Sequence, residues 1–469
     1  MRRTIRLHAK NHPIACEEPS DCMRRTIRLH AKDHPPDHPN IMLHHALLVL
    51  LMVWASPLLA VAQTPADNAR SSDMRAPTGD VPPSNLRAAA GKVDITPPLG
   101  IPLAGYGDRT GPASGVKDPL RAGVLILDDG TSRASIVTLD LIGVGEDETR
   151  LIREMIEDKT GIPGDHVLVN ASHTHGGPRL EAASDYGRHV AAEVAGLAET
   201  VASRLKPASV GYATEEITSC VNRRLLNAEG VAEMRPNPAG PTDPRVRVAR
   251  VDAADGETLA ILFHLACHAN VFRNENTEIT ADYPGLAQEL VEDVYAGAAA
   301  MYLSGAGANL RPNLPSADGF RSGDDDDLEW IGLDVGAAVV QASARTGSRE
   351  ARMQRESTYD IAAASRIVEL PAKDGEPIPI EIQALRVGRT LFLTIPGEPF
   401  IQYNTQVEEA LGGEDLRVMV VGYANGAHGY FCTADSYRFG GYEPGVSKFA
   451  PEAETILVDA LISLGRGTL

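Results

Sequence analysis

Aromatic residues are scarce in this chain, 5 % of 469 positions with two tryptophans, so no ring-lined platform for glycans is advertised. Positive charge is scarce as well: 44 Lys+Arg stand against 63 Asp+Glu, a formal net charge of −19. Setting aside residues 1–62, with eight Lys/Arg against five Asp/Glu, leaves −22 for the remainder. Nucleic-acid binding needs cations clustered against phosphate, and that class is excluded. Cysteine is sparse: Cys16 and Cys22 fall in the leader, and Cys220, Cys267 and Cys432 follow it. Three cysteines make no disulfide framework; one pair can form, and the spacing leaves open which. The apolar run Ala46 to Ala60 falls short of the roughly 20 residues a membrane helix needs. No stable membrane anchor is expected.

What is present begins with a tandem copy, MRRTIRLHAK at 1–10 and again at 23–32. Two short basic copies cannot stack into a repeat core, so this reads as an over-extended start, with Met42 a plausible true one. The run Ala46–Ala60 then serves as a secretory core, and Ala60-Val61-Ala62 supplies an A-x-A cleavage site before Gln63. Residues 1–62 are thus leader plus signal peptide, and export to the periplasm or beyond is expected. Residues 63–87 are polar and Pro-rich, the composition of a disordered linker.

From 88 to 469 apolar strand-like runs (122–127, 135–142, 167–171, 247–252, 258–265, 391–395, 417–423) interleave with helical periodicity (146–159, 186–205, 284–297, 328–345, 402–411). That pattern predicts one large α/β domain with mixed sheets flanked by helices. The acids Asp324 to Asp327 read as a helix cap in preference to a calcium site, and Asp282 as a helix N-terminal turn.

Seven histidines follow residue 62, and five of them fall in three strand-to-loop segments. The first is His173-Thr174-His175-Gly176-Gly177-Pro178, at the end of Val167–Ser172. A regular strand would point the two imidazoles to opposite faces; the Gly-Gly that follows predicts that it does not stay regular. The second runs from Leu262 through His264 and His268 to Asn270; the third is Tyr423 to Tyr430, around His428. Between them, Leu393–Pro399 ends a strand in a turn holding Glu398. Strand ends bearing His, His, Glu and His/Tyr can supply a zinc site, since imidazole and carboxylate are common zinc ligands.

These segments, with Asp94-Ile95-Thr96-Pro97-Pro98 through Gly107, Asp118-Pro119-Leu120, Asn222-Arg223, the Ala281-Asp282-Tyr283-Pro284-Gly285 turn and the late Tyr430 and Tyr442, resemble the neutral/alkaline non-lysosomal ceramidases in order over most of 88–450. The resemblance implies one Zn2+ per chain held by His173, His268, Glu398 and Tyr430, with His175, Arg223 and Tyr442 as active-site residues. It implies a zinc-dependent amidase acting on an N-acyl substrate, a lipid or small molecule; a second reading kept beside it is a glycan-degrading enzyme, a lyase or hydrolase on uronate-containing oligosaccharide with the same zinc fold. A non-catalytic zinc module is a third reading, and the oligomeric state is left open. The chain departs from the family where a Gly-Asp-x-Ser-Pro-Asn segment is expected: Arg311 stands in place of the serine, in Gly307-Ala308-Asn309-Leu310-Arg311-Pro312-Asn313. Arg311 is expected to face the same cleft as the zinc and act there, with pairing to Asp282 or the 324–327 acids as the competing expectation.

Overall fold

A computed structural model describes residues 84–413 and 416–469. Residues 1–62, where a leader and signal peptide are expected, and residues 63–83 of the expected linker lie outside the described residues. Ser84 to Leu86 run directly into the first strand, with Leu86 wholly buried.

The larger sheet has eight strands: β1 (Arg87–Asp94), β2 (Arg121–Asp128), β3 (Arg133–Leu139), β4 (Val167–Ala171), β5 (Lys206–Glu216), β8 (Arg245–Ala253), β9 (Thr258–Leu265) and β10 (Ala299–Ser304), in the spatial order 10-9-8-5-1-2-3-4. It is antiparallel through its middle, but both outermost pairs, β3/β4 and β9/β10, are parallel. A second sheet orders β12 (Ile361–Leu370), β13 (Ile378–Val387), β14 (Thr390–Thr394) and β16 (Arg417–Val421), with β14/β16 parallel. Smaller ladders join β11 (Leu310–Pro312), β6 (Cys220–Leu226) and β7 (Ala232–Asn237), and pair β15 (Glu398–Pro399) with β17 (Tyr430–Phe431).

Strand alternation builds the layers. Leu125, Leu127, Ile136, Leu168, Leu262 and Met301 of the large sheet share one core with Leu385, Phe392, Met419 and Val421 of the second. The other faces are covered by helices. Val124, Ile126, Val137 and Val169 pack with Ile152 and Ile156 of α1 (Glu146–Thr160) and Val190 and Val194 of α2 (Asp185–Ala202). Val248, Ile261 and Tyr302 pack with α3 (Asp282–Val294) and α4 (Asp325–Thr346). Leu391, Leu393 and Val420 meet α6 (Ile401–Leu411) and α9 (Ala453–Gly467); α5 (Arg349–Met353), α7 (Ala434–Phe439) and α8 (Tyr442–Val446) are short. Both sheets are therefore buried on both faces, which is why β4, β10 and β14 read as mostly apolar runs. The fold is mixed α/β, as the sequence pattern predicts.

Both local acid readings match the structure. Asp324 accepts from Asp327 N–H and Asp327 from Asp324 N–H, a capping box. Asp282 opens α3 at φ 58°, its carboxylate accepting from Val271 and Tyr283 N–H. No helix among the described residues is long and apolar enough to cross a membrane.

Candidate active site and metal centre

The carboxyl ends of β4, β9, β10, β14 and β16 converge, and Asn170 stitches three of them. Its amide donates to Gly422 O at 2.7 Å and accepts from Ser304 N–H at 3.0 Å. Beyond β4 the chain turns at His173, whose φ of 63° breaks strand alternation. The break brings His173 and His175 together, with ring centroids 4.9 Å apart. His268, three residues beyond β9, closes the group: the imidazole nitrogens of His173, His175 and His268 all lie within 4.8 Å of one another, and all three residues are buried.

Two imidazoles are oriented by backbone carbonyls. His173 Nδ1 sits 2.7 Å from Ile142 O; His268 Nδ1 sits 2.9 Å from Gly307 O and 3.0 Å from Leu310 O. A ring nitrogen facing a carbonyl carries the proton, which leaves both Nε2 atoms unprotonated and turned toward the interior. Glu398 Oε2 lies 3.4 Å from His173 Nε2 and 3.5 Å from His268 Nε2, and this oxygen is buried without a hydrogen-bond partner. Two unprotonated imidazole nitrogens and an unpartnered carboxylate oxygen form an N/O donor set that suits zinc. Glu398 and Tyr430 are in-register neighbours on β15 and β17, so the phenol is delivered to the same place. Burial pushes Glu398 toward protonation, but His173 and His268 outweigh it and hold its carboxyl well below the usual range. Burial, then Arg223, lowers His268 to about 4; burial, then His173 and His268, holds His175 well below the ordinary imidazole range.

Arg223 and Tyr442 complete the surround. Arg223, on β6, extends one Nη toward His268 Nε2 at 3.3 Å and the other to the Tyr430 hydroxyl at 3.4 Å. Its Nε is fixed by Glu443 at 2.8 Å. Tyr442, the first residue of α8, is 53 % exposed and stands edge-on to Tyr430 at 5.7 Å. A cleft of about 760 Å³ opens here, lined by His173, His175, Glu398, Tyr430, Tyr442 and, from the Pro102–Gly107 segment, Tyr106.

Two of the histidines singled out in the sequence lie elsewhere. His264 turns into the interior toward Val420 O at 2.9 Å, and His428 pairs with Glu146 at 2.9 Å. Arg311 is 4 % exposed and takes neither competing partner: Asp282 is engaged with backbone N–H groups, Asp325 with Lys117 and Asp327 with Arg321. Other contributors carry no motif of their own. Tyr423 stacks on His173 at 4.2 Å, and Gly105 gives His175 its room, because a Cβ there would lie 2.4 Å from His175 Nδ1. Cys220 and Cys267 form a disulfide, tying β6, three residues before Arg223, to the loop one residue before His268; Cys432 is free and buried.

The sequence profile of the neutral/alkaline non-lysosomal ceramidases, N-terminal, matches residues 87–308. Over that segment, just under half of its length, the chain is similar to the neutral/alkaline non-lysosomal ceramidases. A neutral ceramidase of Mycobacterium tuberculosis (strain ATCC 25618 / H37Rv) is 23 % identical, over 74 % of this chain and 71 % of that protein. The crystal structure of the neutral ceramidase from Pseudomonas aeruginosa superimposes with a TM-score of 0.69 at 21 % identity, covering 83 % of this chain and 75 % of that one. A ceramidase complexed with C2 gives 0.68 at 19 %, over 82 % and 75 % of the two chains. At these identities the structural likeness speaks for the shared fold.

Proposed function

We propose that this chain is an exported, zinc-dependent hydrolase that cleaves the amide bond of an N-acyl substrate. The observation that carries the reading is the buried, unpartnered Glu398 Oε2 facing the Nε2 atoms of His173 and His268 at 3.4 and 3.5 Å. In this reading His173, His268, Glu398 and Tyr430 hold one zinc. When bound, such an ion polarises a carbonyl and lowers the pKa of water toward neutrality. The chain supplies the rest. His175 is kept neutral by burial, so it can take a proton and return it to the leaving amine. The charge of Arg223, secured by Glu443, and the Tyr442 hydroxyl face the developing oxyanion. The Cys220–Cys267 disulfide suits an oxidising compartment, in keeping with export.

A lyase acting on uronate polymers is the second reading, favoured by one observation, the buried cation at Arg311. Incubation with a fluorescent N-acylsphingosine and with polyuronate separates the two. Release of fatty acid supports the hydrolase; an unsaturated uronate product overturns it.

A further inference from the structure

We propose that Arg311 makes this a site for substrates that carry a carboxylate close to the bond that is cleaved. The inference rests on the hydrolase reading above and names its substrate class.

Five arginines among the described residues are no more than 8 % exposed: Arg223, Arg247, Arg250, Arg311 and Arg355. Four are paired with a carboxylate: Arg223 with Glu443 at 2.8 Å, Arg247 with Asp243 at 2.9 Å, Arg250 with Asp252 at 2.8 Å and Arg355 with Asp252 at 2.7 Å. Arg311 has no carboxylate within the 4.0 Å reach of an ion pair among the described residues. Its Nη2 makes one long contact, 3.5 Å to Asn270 O, and its Nε is buried with no acceptor. Its guanidinium carbon lies 4.4 Å over the Phe320 ring centroid, a stacking contact that orients the fork without neutralising it. The neighbouring Asn270 Oδ1 is likewise buried without a partner. A buried charge without a counter-ion is costly, so a fold that keeps one has a reason to.

The position supplies that reason. Arg311 sits on β11, paired with Val221 of β6, in the same short ladder that carries Arg223. The residue before it, Leu310, accepts from His268 through its carbonyl. Arg311 is not on the cleft wall itself, but the two rings with which it interacts electrostatically, Tyr106 and His175, are. Arg223 is already compensated by Glu443. Behind the cleft wall Arg311 therefore keeps a positive charge that no carboxylate pairs directly, with Tyr106 and the buried Asp282 acting on it only from beyond ion-pair reach. A guanidinium cannot serve as base or nucleophile at neutral pH, but its Nε and Nη edge donates two parallel hydrogen bonds to a carboxylate.

The test compares matched ligands that differ only in the charge: N-lauroylglycine against N-lauroylglycinamide, and trigalacturonate against its methyl ester. Each is titrated calorimetrically into metal-stripped wild type, Arg311→Gln and Arg311→Lys, and the two acyl compounds are assayed for hydrolysis by the zinc-loaded proteins. We expect wild type to bind the carboxylate of one pair at least tenfold tighter than its neutral twin; that pair names the source. Arg311→Gln should lose at least tenfold more affinity for the carboxylate than for the twin, and Arg311→Lys should regain part of it. Equal affinity within both pairs for wild type, or an equal loss on both members in Arg311→Gln, overturns the proposal. The wild-type comparison decides even where a variant fails to fold. Hydrolysis of N-lauroylglycinamide without any carboxylate preference overturns the carboxylate site and leaves the hydrolase standing. A carboxylate preference with hydrolysis of neither acyl compound overturns the hydrolase and leaves the carboxylate site standing.

Discussion

Arg223 Nε donates to Glu443 Oε1 at 2.8 Å, with the two side chains 4 % and 2 % exposed. Glu443 also takes Arg224 on its other oxygen, so one carboxylate fixes two guanidinium groups of β6. Burial pushes Glu443 up, and Arg223 and Arg224 outweigh it, so it is held below its usual range. Removing one member of a buried pair strands a charge, at a cost of about 3–5 kcal/mol. Glu443→Gln is expected to lower kcat tenfold or more, with a smaller effect on KM, because Arg223 loses its aim. Steady-state kinetics beside a thermal melt check this; unchanged kcat in a folded variant contradicts it.

Gly105 has φ +97°, and a Cβ there would sit 2.4 Å from His175 Nδ1. Gly105→Ala should displace His175 while leaving the His173–His268–Glu398 donor set in place. The expected result is at least tenfold lower turnover with zinc content unchanged, read by kinetics and elemental analysis on one preparation.

The Cys220–Cys267 bridge ties the segments that bear Arg223 and His268. Its removal in Cys220→Ser/Cys267→Ser should cost about 2–4 kcal/mol of stability. Turnover measured well below the melting temperature should fall too, which separates lost positioning from lost folding.

His264 is 1 % exposed, and burial, then Arg247, lowers it to about 4. The neutral ring is the folded form, so its contribution is whole above about pH 6.5 and is lost as pH falls through about 4. That loss amounts to about 3 kcal/mol. Denaturant titrations from pH 7 to 4 should show a shallower decline for His264→Gln than for wild type. Parallel declines would contradict the assignment.

Much of this was legible in the sequence for a physical reason. Apolar runs such as 167–171 and 258–265 match β4 and β9 residue for residue, because strands buried on both faces are nearly continuous in apolar residues, with Asn170 and His264 as the exceptions. The kink at His173 followed from the Gly-Gly after it. Less legible were β5, β6, β12 and β13, where exposed and buried positions mix and lysine, glutamate or arginine interrupts the pattern. Glu443 was also hidden, since a carboxylate beside a surface tyrosine has no spacing that marks it; Tyr423 headed the segment around His428, but its stacking on His173 comes only from the fold. The partner of Arg223 lies 220 residues away, and only the fold brings the two together.

The central claim is that His173, His268, Glu398 and Tyr430 hold a zinc ion. Elemental analysis of wild type, His173→Ala and His268→Ala, purified side by side and verified as folded, tests it most directly. The account predicts about one zinc per chain in wild type and loss of most of it in each variant; metal content unchanged by both substitutions would contradict it.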